Sequence, residues 1–104
     1  MAHQNLTLKN INIPGDMIAH FCRRNHIKKL SFFGSVLRSD FRTDSDVDVL
    51  VEFEPEHTPG FFRLHDMEEE LSVILGRSVD LRTPEDLSRY FRDEVIAHSM
   101  VLYG

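Results

Sequence analysis

The chain is organised around two segments, Ser31-Phe32-Phe33-Gly34-Ser35 and, ten residues later, Asp46-Val47-Asp48-Val49-Leu50-Val51. The first is a short apolar strand that runs into a Gly-Ser turn, with a helix predicted behind it. Such a turn points backbone N–H groups outward, and the resulting concavity suits a phosphate. The second segment alternates with period two, so Asp46 and Asp48 share one face of a strand while the valines share the other.

The two aspartates of the second segment are a candidate metal site. Carboxylates two residues apart on a strand lie about 7 Å apart at the backbone. Like charges this close repel each other unless a cation lies between them. Mg²⁺ typically takes one or two carboxylates together with substrate phosphates. A phosphate cradle beside a carboxylate pair therefore predicts nucleotide chemistry; the alternative for either feature alone is a solvent-facing strand start or an ordinary turn.

The combined pattern, Gly-Ser, ten residues, then Asp-x-Asp with apolar residues, resembles the signature of the polymerase-beta-like nucleotidyltransferase superfamily. The short chain further resembles its minimal, MNT-type members, which are usually paired with HEPN-domain toxins. Arg38 lies where that family usually carries an arginine, and Ser45-Asp46 matches its Ser-Asp pair. Ser39 departs from the glycine that often follows the arginine. The resemblance covers roughly residue 15 to the end.

The resemblance implies an α/β (α+β) fold, with a small mixed sheet and helices packed mainly on one face. It implies ATP as substrate and two Mg²⁺ ions, and it makes Asp80 the third carboxylate beside Asp46 and Asp48. The residues expected to bind the nucleotide are Gly34, Ser35, Arg38 and Ser45. For Arg38, a surface ion pair with Asp40 or Asp44 is the alternative.

The function implied by the resemblance is transfer of AMP from ATP to a hydroxyl of a cognate HEPN ribonuclease toxin, with tyrosine as the expected acceptor. The alternative is a non-catalytic antitoxin that neutralises its toxin by binding alone, in a hetero-oligomer. The intact Asp46, Asp48, Asp80 and Gly34-Ser35 favour the enzyme. Modification of a small molecule is less favoured, because 104 residues leave no room for a separate substrate-binding domain.

Length and composition predict one domain over residues 1–104. A net charge of −5 argues against an extended nucleic-acid surface, so no direct nucleic-acid binding is expected. No apolar run approaches the roughly 20 residues that cross a bilayer, and no signal peptide is recognisable, so no membrane association is expected. The single cysteine, Cys22, fits a reducing compartment and predicts a cytoplasmic protein.

Helical and extended patterns alternate along the remaining chain. Residues 1–14 predict an extended arm, or a segment that packs on a partner. The long helical pattern that begins near Phe61 includes Phe61 and Phe62 in its apolar repeat, and its acidic residues are expected to form a solvated face: Asp66, Glu68, Glu69 and Glu70. The other predicted elements are a helix with its N-cap at Asp16, a strand over Lys28–Phe33, a short helix from Ser35 to about Asp40, a strand over Asp46–Phe53, a C-cap at Gly76, a strand over Arg77–Arg82, a last helix that starts with Thr83, Pro84 and Asp86 and continues to Ile96, and a short final strand over Met100–Tyr103.

Overall fold

The computed structural model describes residues 6–8, 11–38, 42 and 44–104, with side chains from residue 11 onward. Within these residues the chain forms six strands and three α-helices, with two short 3₁₀ turns at Gly34–Leu37 and Pro84–Asp86. In chain order the helices and strands are β1 (Leu6–Leu8), β2 (Ile11–Ile13), α1 (Gly15–Arg24), β3 (Ile27–Phe33), β4 (Val47–Phe53), α2 (Phe61–Leu75), β5 (Val79–Arg82), α3 (Arg92–Ala97) and β6 (Met100–Tyr103).

The main sheet is mixed, as predicted. Its strand order is β5-β4-β3-β6, with β3 antiparallel to both β4 and β6, and β4 parallel to β5. Phe33 pairs with Asp48, and Asp48 in turn pairs with Asp80. This register brings the turn that follows Phe33 and both aspartates to the same end of three adjacent strands.

The core lies on the valine face of β4, as the alternation predicts. Val47, Val49 and Val51 are completely buried. Helices α1 and α2 cover this face with apolar residues spaced one helical turn apart. Their main contributions are Ile18, Phe21 and Cys22 from α1 and Met67, Leu71 and Leu75 from α2. Packing of the helices on this face anchors β4 and thereby fixes where its aspartates point.

The N-terminal segment is part of the fold. Strands β1 and β2 form an antiparallel hairpin in which Leu6 pairs with Ile13. Ile11 and Ile13 are buried in the same core as the β4 valines. The prediction of an extended segment is confirmed for these strands, but β2 packs on its own chain and is not a free arm. The other residues of the predicted arm before Leu6, and residues 9–10, lie outside the described part of the chain.

Three predictions of helix limits were wrong. Helix α1 begins at Gly15 with Pro14 as its N-cap, so Asp16 lies in the first turn. The helix predicted from Ser35 is a single 3₁₀ turn, because Arg38 is already extended with ψ 155°; its predicted end near Asp40 lies outside the described residues. The last helix is shorter than its apolar pattern, since the extended backbone at Leu87 separates the Pro84–Asp86 turn from α3.

The long helix α2 also differs from the expectation at its N-terminus. Phe61 and Phe62 are 80% and 83% exposed, although both fit the apolar period. The inward-facing residues begin with Leu64, which is partly buried against the core. The C-cap prediction is confirmed, since Gly76 has a left-handed backbone with φ +67°. The capping box between Thr83 and Asp86 is also present. No helix among the described residues is long and apolar enough to span a membrane.

Candidate active site

The Gly-Ser turn is built directly against Asp48. Gly34 has φ +72°, a conformation that residues with a Cβ rarely adopt. A Cβ at this position would collide with carboxylate oxygen Oδ2 of Asp48 and would lie 3.3 Å from its Cγ. The backbone N–H of Ser35 donates a hydrogen bond to the Asp48 carboxylate. Gly34 is therefore needed for two reasons: the backbone turn itself and the space that the Asp48 carboxylate occupies.

Asp48 is the electrostatic centre of the site. Its pKa is raised, first because the side chain is half-buried and second because the negative charge of Asp80 lies beside it. The Ser35 hydrogen bond and the positive charge of Arg82 oppose this rise, and Asp46 adds to it. The negative charges of the other two predicted carboxylates, Asp46 and Asp80, thus both act on Asp48. Asp46 is exposed and lies just before β4, so the strand begins one residue later than predicted, whereas Asp48 and Asp80 are half-buried.

Helix α2 holds the outer edge of β5 and so sets the position of Asp80. The N–H of Val79 donates to the Ser72 hydroxyl at 3.0 Å, and the N–H of Leu81 donates to the Glu68 carboxylate at 2.8 Å. Side chains of α2 therefore accept hydrogen bonds from backbone N–H groups of β5 that would otherwise be unpaired at the edge of the sheet. The prediction that Glu68 belongs to a solvated helix face was wrong, because it binds the backbone next to Asp80.

Arg82 is a site residue that sequence reasoning missed. Its Nε and Nη2 donate to the two carboxylate oxygens of Asp80, each at 3.1 Å. This two-pronged bond raises the pKa of the Arg82 guanidinium and satisfies Asp80 in the geometry that arginine and carboxylate favour. The spacing Asp80-Leu81-Arg82 carried the signal, since residues two apart on a strand share a face.

Arg77 is the second residue that the sequence did not reveal. Its guanidinium donates to the backbone carbonyls of Ser45 at 3.0 Å and Arg42 at 3.3 Å. Next to these contacts, the N–H of Val47 donates to the carbonyl of Ser78 at 2.8 Å. These bonds fasten the loop before Asp46 to the start of β5. No spacing rule could have paired Arg77 with a loop more than 30 residues earlier.

The remaining predicted nucleotide-binding residues lie around the same strand ends. Arg38 is exposed at the end of the 3₁₀ turn, and its N–H donates to the Ser35 carbonyl at 3.0 Å. Asp44, one alternative partner of Arg38, forms an ion pair with Arg42 at 3.6 Å. The other alternative partner, residue 40, and the departure from the family pattern at residue 39 lie outside the described residues. Ser45 is half-buried, and its role in nucleotide binding stays a prediction.

The carboxylate cluster fits a divalent cation in its chemistry. Oxygen donors are the ligands of Mg²⁺. The pKa of Asp48 is raised first by burial and second by the negative charge of Asp80, and a bound cation would oppose both effects. Among the side chains that the structure describes, however, no three acidic, histidine or cysteine residues already converge on a metal position. The pairing of Asp80 with Arg82 is one reason, because that carboxylate is aimed at a guanidinium.

A cleft of about 300 Å³ opens beside Asp80 and Arg82. Its other walls come from the first turns of α2 and from the capping turn after β5. The exposed ring of Phe61 and the side chains of Glu68 and Asp86 line it. The cleft thus adjoins the carboxylates on the β5 side, whereas the Gly-Ser turn adjoins them on the β3 side.

The fold and the site define a nucleotidyltransferase. The profile of the family described as nucleotidyltransferase domain matches residues 16–103, and the chain belongs to this family. The predicted family and fold class are thereby confirmed. A relative from Methanocaldococcus jannaschii, provisionally named protein adenylyltransferase MJ1379, is 31% identical over 75 residues, which are 72% of this chain and 75% of the relative. Protein adenylyltransferase MntA of Thermococcus cleftensis is 40% identical over 55 residues, 53% of this chain and 54% of that protein.

Solved structures share the fold. A structure described as a candidate minimal nucleotidyltransferase has a TM-score of 0.67 and 29% identity, covering 83% of this chain and 86% of its own. A toxin–antitoxin complex with AMP-PNP has a TM-score of 0.68 and 22% identity, covering 86% and 73%. A tri-AMPylated Shewanella oneidensis HEPN toxin in complex with its MNT antitoxin has a TM-score of 0.61 and 22% identity, covering 86% and 69%. At these last two identities the likeness concerns the fold alone.

Proposed function

We propose that this protein is a Mg²⁺-dependent protein adenylyltransferase that transfers AMP from ATP to a tyrosine hydroxyl of a partner HEPN-domain toxin. One observation carries the proposal: Asp48 is in register with Asp80 and packs against the Gly34-Ser35 turn. Phosphate-binding backbone and the carboxylates needed for a metal ion therefore lie together. Further support comes from the relatives named protein adenylyltransferases.

In this proposal ATP and the acceptor tyrosine approach the carboxylates from opposite sides, ATP from the β3 side and tyrosine from the β5 side. The turn after β3 binds the triphosphate through backbone N–H groups and the Ser35 hydroxyl, and Arg38 adds charge-assisted hydrogen bonds to it. Ser45, at the start of the Asp-x-Asp segment, contacts the same nucleotide. Asp46 and Asp48 in the centre, with Asp80 on β5, would hold two Mg²⁺ ions. The acceptor tyrosine enters from the β5 side, through the cleft beside Asp80.

In this reaction the protein positions the reactants and neutralises their charge. The acceptor oxygen forms a bond to the α-phosphorus of ATP while the bond from that phosphorus to the pyrophosphate oxygen breaks; pyrophosphate leaves and the hydroxyl proton passes to solvent. Bound Mg²⁺ supplies charge neutralisation and lowers the pKa of the acceptor hydroxyl. Gly34 and Ser35 fix the triphosphate, and α2 fixes Asp80 through the Leu81 and Val79 backbone. Fixed geometry of this kind accounts for a large share of rate acceleration in such reactions.

A non-catalytic antitoxin is the second candidate, and one observation favours it. Asp80 is paired with Arg82, and no three described ligands converge on a metal. A protein that had lost turnover could keep such an arrangement. We favour the enzyme because Asp46, Asp48, Asp80, Gly34 and Ser35 are all retained.

The experiment that tests the proposal uses the protein encoded by the neighbouring reading frame, if it is a small helical protein with an Arg-x4-6-His pattern. The two proteins are incubated with ATP and Mg²⁺, and the intact mass of the partner is measured. We expect the partner to gain the mass of one or more AMP groups on tyrosine. A partner that is neutralised without any gain in mass would overturn the adenylyltransferase proposal and favour the non-catalytic antitoxin.

We place the reaction in the cytoplasm, since Cys22 is a free, buried thiol.

A further inference from the structure

The pairing of Arg82 with Asp80 bears on how a metal ion reaches the site. The guanidinium binds both carboxylate oxygens, and the two side chains are 48% and 34% exposed. The positive charge of Arg82 also acts on the Asp48 carboxylate and partly offsets the repulsion from Asp80. One arginine therefore balances the two in-register aspartates without any metal.

A guanidinium and a divalent cation cannot use Asp80 in the same way. The two-pronged bond uses one lone pair on each Asp80 oxygen, on the side that faces Arg82, and a metal ion held by both oxygens would lie on that same side. A cation placed beside the guanidinium would also be repelled by its charge. A metal ion that binds both oxygens of Asp80 therefore competes with Arg82, and its binding costs the two hydrogen bonds.

We propose that Arg82 is a positioning residue that holds the Asp80 carboxylate in place of a metal ion and is displaced from it when a divalent cation binds. This inference rests on the proposed function, because it assigns Asp80 to a metal. The arrangement fixes the Asp80 carboxylate beside Asp48, and it makes metal binding at Asp80 weaker than the carboxylates alone would allow.

The displaced side chain has a destination within reach. Asp86 lines the same cleft as Arg82, and its negative charge already acts on the guanidinium. In the described structure, both hydrogen bonds that Asp86 accepts, from the N–H and the hydroxyl of Thr83, end on Oδ2. The other oxygen, Oδ1, can accept from Arg82 without opening the capping box.

The test measures metal affinity without nucleotide or acceptor. Mn²⁺, which prefers oxygen ligands as Mg²⁺ does, is titrated into the protein, and free Mn²⁺ is followed by electron paramagnetic resonance. We expect Arg82→Met to lower the Mn²⁺ dissociation constant by about threefold to fivefold, the size expected for a partly exposed ion pair. Arg82→Lys keeps the charge but loses the two-pronged bond, so we expect part of the same gain.

The matched control is Arg24→Met. Arg24 pairs with Glu70 on the surface with exposures of 44% and 41%, close to those of the Arg82 pair. This variant removes the same charge and a similar ion pair, and we expect its Mn²⁺ affinity to stay within about twofold of the wild type. A second control repeats Arg82→Met in an Asp80→Asn background, where the gain should disappear because the competition is for that carboxylate.

Each outcome decides the proposal. Unchanged Mn²⁺ affinity in Arg82→Met, equal gains in Arg82→Met and Arg24→Met, a gain that persists with Asp80→Asn, or no detectable Mn²⁺ binding by any variant would overturn it. The transfer assay is independent of this titration. A wild-type protein that binds Mn²⁺ as expected yet transfers no AMP would overturn the proposed function. AMP transfer by the wild type, together with the same Mn²⁺ affinity in Arg82→Met and wild type, would overturn the role of Arg82.

Discussion

Substitution of Gly34 by alanine separates the structural and functional roles of the turn. Gly34 and Gly76 both have left-handed backbones, with φ +72° and +67°. An added Cβ at Gly76 meets nothing within 4 Å, whereas at Gly34 it meets the carboxylate of Asp48. Gly76→Ala is therefore a matched control that carries the backbone strain without the collision.

The expected loss of stability is similar for the two variants. A residue with a Cβ in the left-handed region costs about 1–2 kcal/mol. For a chain of this size that corresponds to a fall in melting temperature of about 4–16 °C. The collision at Gly34 adds little, because the Asp48 carboxylate is the free end of a side chain and can rotate away. Rotation would, however, break the hydrogen bond from the Ser35 N–H and move the carboxylate out of the site.

Thermal unfolding and calorimetric binding of ATP with Mg²⁺ test this reasoning on the same samples. We expect comparable melting temperatures for Gly34→Ala and Gly76→Ala, with ATP binding lost only in Gly34→Ala. Equal ATP affinity in the two variants would refute a functional contact between Gly34 and Asp48. A melting temperature of Gly34→Ala far below that of Gly76→Ala would show that the carboxylate cannot yield.

Three further predictions concern the charges of the site. Asp46→Asn and Asp48→Asn should abolish transfer and leave the melting temperature unchanged or raised, because each relieves repulsion without removing an apolar contact; a fall of many degrees would make these aspartates structural. The raised pKa of Asp48 means that the folded state binds more protons than the unfolded state, so stability from this group is present below its ordinary value of 3.8 and is lost as pH rises through the higher folded pKa. The melting temperature of Asp48→Asn minus that of the wild type should therefore grow from acid to neutral pH, and a shrinking difference would contradict the sign. ATP should bind better with Mg²⁺ than without it, and calorimetry that gives equal affinities would argue against a metal-bridged site.

Local patterns predicted the parts of the fold that depend on neighbouring residues. The alternation of Val47, Val49 and Val51 identified β4 and its buried face, and Gly76 identified the end of α2. The apolar repeat of α2 includes Phe61 and Phe62, yet both are exposed. An apolar period indicates which residues share a helix face but not where along the helix the core begins. The exposure of the first turn of α2 depends on tertiary packing, which the local pattern does not encode.

The site shows the same division between local and long-range information. Asp46 and Asp48 follow from alternation, whereas Asp80 came from the family resemblance, since nothing in spacing alone sets a residue of β5 opposite Asp48. The strand period places Arg82 on the same face as Asp80, but it does not show that the two side chains pair. The contact of Arg77 with the loop before Asp46 joins distant parts of the chain, and tertiary packing alone creates it.

In the proposed enzyme, Asp80 completes the catalytic site and does not merely support nucleotide binding. The most direct measurement is the intact mass of the partner protein after incubation with Asp80→Ala at saturating ATP and Mg²⁺, beside the wild type. We predict AMP on the partner with the wild type and an unmodified partner with Asp80→Ala, although this variant still binds ATP through Asp46, Asp48 and the Gly34-Ser35 turn. A partner modified to the same extent by both proteins would contradict the claim and remove Asp80 from the site.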